Sequence, residues 1–334
     1  MRPGVARAAL VVACAVVLLD VAAALAGSLL LRDPPLPGLG NRAENVAAIA
    51  LPRDGAFRFA VLGDPEERPS VTHALLHQAA AAGADFAVIT GDIADRCAAV
   101  DFAHFLWNWS ELGADARPTF TAIGNHDKRG ADTALFARFF GPEWFSFVHG
   151  RVLFLFVNDN DPADAARCEE FVRGELAAHA GQFDRTALVM HKPAIDYLKK
   201  GRVVRGTQTG AWIERAFGGR PPDLVLAGHY HGYVRRQAGD TLHLVTGGGG
   251  GNLQGPNERY HMILVDVLPG EIRDSTVPLD GWPPLRGKLE WPLAVSAWPL
   301  LYGTPARTGA TLVLTLALVT AAWALRRRPR AAGG

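Results

Sequence analysis

Five short segments of this chain set Asp, Asn or His directly behind an apolar run: Gly63-Asp64-Pro65-Glu66, Gly91-Asp92-Ile93-Ala94-Asp95, Gly124-Asn125-His126-Asp127, Met190-His191 and Gly228-His229-Tyr230-His231. Carboxylate, carboxamide and imidazole without cysteine make a ligand set for divalent cations bound through oxygen and nitrogen. Two such cations, about 3.5–4 Å apart, acidify a water between them and neutralise charge on an anionic ester. The chemistry implied is metal-assisted hydrolysis.

The positioning elements are legible in the runs themselves. Phe57 to Leu62, Phe86 to Thr90, Phe120 to Ile123, Ala187 to Met190 and Leu224 to Ala227 are short, apolar and rich in Val, Ile, Leu or Phe. That is the pattern of strands buried on both faces. Ligands in open α/β sheets bind beyond the carboxyl ends of strands, so the five segments point at one shared pocket. Helices are predicted over Ser70 to Ala82 with Ser70 as N-cap, Ala98 to Leu112, Pro162 to His179 and Thr209 to Phe217. A hairpin is predicted for Trp144 to Val148 with Val152 to Val157, and strands follow at Gly232 to Gln237, Thr241 to Thr246 and Tyr260 to Val267. Alternation followed by consecutive strands fits two packed sheets with helices outside. The glycine run Gly247 to Gly251 lacks the Lys-Ser/Thr of a nucleotide loop and reads as a flexible rim of the pocket.

The series Asp64, Gly91-Asp92, Gly124-Asn125-His126-Asp127, His191 and Gly228-His229-Tyr230-His231 resembles the calcineurin-like metallophosphoesterase superfamily, over residues 56 to 270. The resemblance implies an α/β fold, a four-layer αββα sandwich. It implies two divalent metal ions (Mn, Fe or Zn) and a metal-activated bridging hydroxide that hydrolyses a phosphomonoester or phosphodiester. Position by position, Asp64, Asp92 and His231 fall to the first metal, and Asp92, Asn125, His191 and His229 to the second, with Asp92 as the bridge. His126 becomes the general acid, Asp127 the carboxylate that orients its ring, and Asp95 a support for a ring or loop. The family's first motif reads Asp-x-His, whereas this chain has Asp64-Pro65-Glu66. Glu66 either ligates the first metal or turns to solvent beside Glu67; ligation is the reading adopted. Asp95 stands where purple acid phosphatases have Tyr, so no charge-transfer colour is expected. The alternative function is a catalytically weak metal-binding scaffold of the same fold.

The ends of the chain carry a different signal. Ala8 to Leu31 is apolar apart from Asp20 and is preceded by Arg2 and Arg7; Thr308 to Leu325 is apolar and followed by Arg326, Arg327, Arg328 and Arg330. Each is long enough at about 1.5 Å per residue to cross a ~30 Å hydrocarbon core. Arginines at both outer ends place the termini in the cytoplasm and the catalytic region outside it, in the cell membrane of a bacterium by composition. Ala24-Leu25-Ala26 also fits a signal-peptide cleavage site, so residues 1–32 are an anchor or a removed leader. The remaining divisions are a linker over 33–55, the domain over 56–270, a Trp/Pro-rich juxtamembrane segment over 271–305, a transmembrane helix over 306–325 and a basic tail over 326–334. A phosphorylated small molecule or lipid headgroup is the expected partner beside that membrane. A net charge of +1 across 334 residues, with no basic block in the centre, argues against nucleic acid. Of the three cysteines, Cys97 and Cys168 either form a disulfide or stay as free buried thiols.

Overall fold

The computed structural model describes residues 36–52, 54–130, 132–195, 211–255, 258–281, 290 and 305–327. Strands β1 (Phe57–Leu62), β2 (Phe86–Ile89), β3 (Thr119–Thr121), β10 (His261–Leu268) and β11 (Glu271–Pro278) form one sheet in the order β11-β10-β1-β2-β3. Strands β4 (Phe145–His149), β5 (Val152–Phe156), β6 (Arg185–Val189), β7 (Leu224–Ala227), β8 (Tyr233–Ala238) and β9 (Thr241–Thr246) form the other, in the order β4-β5-β6-β7-β9-β8. The strands that precede the ligand segments run parallel within each sheet. Their carboxyl ends therefore lie on one edge of the molecule.

Period-two alternation divides each strand between two cores. In β1, Phe57, Phe59 and Val61 face the second sheet, while Ala60 and Leu62 face outward to helices; β2 repeats this with Phe86 and Val88 against Ala87 and Ile89. Across the gap, Phe154, Phe156, Ala187, Val189, Leu224 and Leu226 complete the central layer, and Leu153, Leu155, Leu188, Met190 and Val225 face the opposite helices. Phenylalanine dominates the centre: Phe59 stacks on Phe86 at 5.0 Å and Phe147 on Phe154 at 4.9 Å between ring centroids. Burying each such ring contributes roughly 1.5–3 kcal/mol. Helices Pro69–Ala81 and Ala99–Ser110 cover the first sheet, and helices Ala165–Ala178 and Ala211–Phe217 the second. The layers are helix, sheet, sheet, helix, as expected.

β1 is central only because β10 pairs with it, from Phe57↔Val267 to Val61↔Ile263. Arg58 fastens that pairing with a bidentate bond to Asp266, at 2.6 and 3.0 Å.

Several local expectations need correction. The stretch expected as a linker is part of the domain from Leu36 to Ile49. Leu39 and Ile49 are buried in two different cores, and the Asn41 amide bonds the backbone of Thr121 in both directions, at 2.8 and 2.9 Å. Asn41 thereby satisfies edge groups of β3 that would otherwise be left open. At the other boundary, β11 continues the sheet through Pro278, beyond the expected limit at residue 270. Helix Ala134–Phe140 was not anticipated, and Ser70 lies inside the first turn of its helix, with Arg68 at the cap position. Cys97 and Cys168 are free buried thiols in different cores, on opposite sides of the molecule.

The N-terminal apolar stretch and most of the Trp/Pro-rich segment lie outside the described residues. Glu290 is an exception: it is buried, accepts from the Ser70 amide and hydroxyl, and meets His104 Nε2 at 2.6 Å. The second apolar stretch is a helix, Pro305–Arg327, diluted by Gly309 and four threonines. Among the described residues no helix is long and apolar enough to cross a membrane, so the expected span over 306–325 is not shown.

Candidate metal centre

Each ligand segment begins just past its strand, and in three of the five the backbone there is strained. Asp64, Asp92 and His229 have φ of 58, 51 and 68°, the left-handed region that side chains other than glycine rarely enter. Such strain costs on the order of 1–3 kcal/mol per residue and persists only where the surroundings over-determine it. It turns all three side chains back over the sheet edge. Gly124 is required for the same convergence, because a Cβ there would overlap the backbone and carboxylate of Asp92.

The side chains of both sheets meet across this edge. His191 is fully buried; its Nδ1 donates to the Thr90 carbonyl at 2.9 Å, which turns Nε2 inward. Nε2 then faces two acceptors, Asn125 Oδ1 at 3.0 Å and Asp92 Oδ2 at 3.2 Å. The other Asp92 oxygen is occupied by the His126 backbone N–H at 2.8 Å. His229 completes this group: ligand atoms of Asp92, His191 and His229 lie within 4.8 Å of one another.

A second arrangement repeats the logic alongside. His231 Nδ1 donates to the Asn252 carbonyl at 2.9 Å, and Nε2 faces Asp64 Oδ1 at 3.4 Å and Glu66 Oε1 at 3.5 Å. In both places an imidazole nitrogen, its tautomer set from behind, points at carboxylate oxygens that are almost wholly buried. A lone pair facing acceptors is repulsive unless a cation or a proton sits between them. These donors could hold divalent cations, with Asp64, Glu66 and His231 on one side, Asn125, His191 and His229 on the other, and Asp92 between.

Without cations, protons take their place. Burial disfavours charge on His191, yet Asp92 beside it pushes its pKa up to about 10, and burial is likewise outweighed at Asp92, which His191 holds at about 2. Burial, reinforced by neighbouring His191, pushes His229 down to about 4, leaving it neutral and ready to ligate. Burial, with Asp92 and Asp64 close by, drives Glu66 up to about 11. Ligating groups must be deprotonated, so cations and protons compete for these side chains.

The sequence profile of calcineurin-like phosphoesterases matches residues 57–233, more than half of the 334 residues. The chain belongs to that family. Among solved structures its fold is similar to GAP50, the anchor in the inner membrane complex of Plasmodium. Identity there is 16% and TM-score 0.50, over 67% of this chain and 85% of that one. It is also similar to the purple acid phosphatase PPD1 from yellow lupin (Lupinus luteus) seeds, at 17% identity and TM-score 0.55. That match covers 70% of this chain and 54% of the lupin protein, about half its length. At such identities the likeness is one of fold. No curated protein matches the sequence.

Calcineurin-like phosphoesterases use divalent metals, and against that background three residues of this chain stand out. Glu66 does not turn to solvent beside Glu67: it is 6% exposed and aimed into the site. Asp127 does not orient His126. Its Oδ1 accepts from the Ile93 and Ala94 amides at 2.8 and 3.0 Å, and its Oδ2 from the Gly124 amide at 2.8 Å. A fully buried carboxylate taking three backbone donors is a strut between the loops after β2 and β3. The His126 ring instead donates from Nδ1 to the Asp95 carbonyl at 2.8 Å, so Asp95 does support it, through its backbone. The His126 side chain is 42% exposed.

Two supports escaped the sequence reading. Asp159, fully buried behind β5, accepts from the His191 and Lys192 amides, both at 2.9 Å, and so fixes the turn that aims His191. Burial pushes it up to about 6 despite the nearby His191. The only hint was the polar trio Asn158-Asp159-Asn160 closing an apolar strand. The second is the glycine run Gly247 to Gly251, which is no flexible rim. Gly249 donates to the Gly63 carbonyl at 2.8 Å and Gly251 to that of Asp64 at 2.7 Å, and a Cβ on Gly251 would meet the His231 ring at 2.6 Å. The absence of side chains there lets it pack against the first ligand loop.

Proposed function

We propose that this protein is a metal-dependent phosphoesterase acting on phosphomonoesters or phosphodiesters. The observation that carries the reading is the pair of inward-facing imidazoles, His191 and His231, each opposite buried carboxylate oxygens, with His126 exposed beside both. Asp64, Glu66 and His231 would hold one cation and Asn125, His191 and His229 the other, with Asp92 placed between the two groups. When bound, the two cations supply Lewis acidity toward water and phosphoryl oxygen. The protein's own work is to fix the ligands. Asp127 and Asp159 lock the loops, Thr90 and Asn252 set the ring tautomers, and the deep carboxylates make the site unfavourable without a cation. His126, with Nδ1 engaged, gives its proton from Nε2 to the leaving oxygen.

A catalytically weak metal-binding scaffold is the competing reading, because Glu66 replaces the usual histidine. Purified protein stripped with a chelator and resupplied with Mn, Fe or Zn should hydrolyse nitrophenyl phosphate or its bis-ester only after resupply. Cation binding without turnover of either ester would favour the scaffold.

The apolar stretches near the two ends of the sequence support a location at a membrane. We place the domain outside the cytoplasm, held at a membrane through Ala8 to Leu31, where a phosphorylated small molecule or a lipid headgroup is within reach. The helix Pro305–Arg327, with Val313, Leu314 and Leu316 exposed, offers a second membrane contact. A reporter inserted after Gly270 that works only when exported should be active, and the protein should sediment with membranes. Activity of a cytoplasm-only reporter at that position sinks the assignment.

A further inference from the structure

Glu66 has two oxygens and two different neighbours. Oε1 lies 3.5 Å from His231 Nε2, on the side of the first cation position. Oε2 is buried, has no hydrogen-bond partner, and lies 3.3 Å from His126 Nδ1. The same His126 nitrogen donates to the Asp95 carbonyl at 2.8 Å, and the Glu66 oxygen lies beside that bond without sharing it. Ligand atoms of Glu66, Asp95 and His126 all fall within 4.8 Å of one another. The backbone holds Glu66 in this position: its own amide donates to the Asp92 carbonyl at 3.1 Å.

We infer that Glu66 is a positioning residue that couples the first cation to the proton donor. One oxygen serves the cation, and the other anchors the back of the His126 ring so that Nε2 faces the leaving group. An imidazole at position 66 could ligate but could not offer a second acceptor, so the substitution of Glu for His adds a connection. Occupancy of the first site then sets the orientation of the acid. A buried oxygen with no donor is costly, and His126 Nδ1, 3.3 Å away, is a donor that a turn of the ring would bring onto it. The inference rests on the phosphoesterase reading for its catalytic consequence, but the contact itself can be tested without turnover.

The experiment compares wild type, Glu66→Gln, Glu66→Ala and Glu66→His, checked for folding by melting temperature. Nitrogen-15 NMR of labelled histidines, with His126→Ala to assign the signal, reads the His126 ring in metal-free protein and after addition of Zn. Elemental analysis reads cation content. We expect the His126 nitrogen signals to shift on Zn addition in wild type and not in Glu66→Ala or Glu66→His, and first-site occupancy to fall in Glu66→Ala. Turnover of esters with poor leaving groups should drop roughly 10–100-fold, with a smaller drop for acidic leaving groups. Adding Glu66→Gln to His126→Ala should then cost little more on poor leaving groups. Unchanged His126 signals across the Glu66 variants, or fully additive losses in the double variant, overturn the coupling. Wild-type protein without turnover removes the phosphoesterase reading, and the NMR comparison still decides the Glu66 contact.

Discussion

Asp92→Ala should abolish turnover and release both cations, because this one carboxylate stands between the two imidazole groups. The stabilisation such a centre supplies is worth several kcal/mol, and a loss of about 4 kcal/mol is roughly 10³-fold in rate. Asp92→Asn separates charge from shape: it can keep the bond from the His126 amide and loses the carboxylate facing His191. It should therefore stay folded and still fail to retain cations. A pH signature accompanies this. Asp92 lies below its ordinary 3.8, at about 2, because His191 outweighs burial. In metal-free protein that contribution to stability is present above about pH 4 and is lost as pH falls toward 2. Asp92→Asn should flatten this acid limb in melting experiments. A variant that keeps two cations by elemental analysis and turns over normally ends the bridging assignment.

His126→Ala should behave differently. The ring is partly exposed, and it is not among the side chains assigned to either cation, so cation content should stay at the wild-type level. Loss of a general acid lowers rate by roughly 10²–10⁴-fold. The deficit should shrink as the leaving group becomes more acidic, because a good leaving oxygen departs without a proton. A series of substituted phenyl phosphates gives the slope. If the loss is uniform along the series, His126 binds substrate and does not protonate it.

The site was legible in the sequence where chemistry and strand ends coincide. Asp64, Asp92, Asn125, His191, His229 and His231 each follow an apolar run, and a buried parallel strand leaves few alternatives for a polar group at its end. What could not be read is who holds whom. Asp127 sits next to His126 in sequence, yet its oxygens are taken by amides of residues 93, 94 and 124. Asp159 and Thr90 act on His191 from distant loops, and adjacency along the chain carries no trace of such contacts. Two packed sheets with helices outside followed from strand-helix alternation and then consecutive strands, and the four-layer sandwich from the family resemblance. β11 was missed because its alternation is of half-buried and exposed residues on a sheet edge, and the segment before β1 because one asparagine, Asn41, ties it down rather than any periodic pattern.

The pairing of β1 with β10 bears on how the protein is made. Arg58 and Asp266 are 208 residues apart, so during synthesis β1 waits with one open edge until nearly the whole domain has emerged. β1 ends at the first ligand, and an open apolar edge is a template for association with other chains. The strand that carries Asp64 gains its partner on that edge only once β10 has emerged, and long-range pairings of this kind form slowly. A chain that stalls before residue 261 holds all of the named ligands but lacks the strand that pairs with β1. Quality control of this protein should act on that late step.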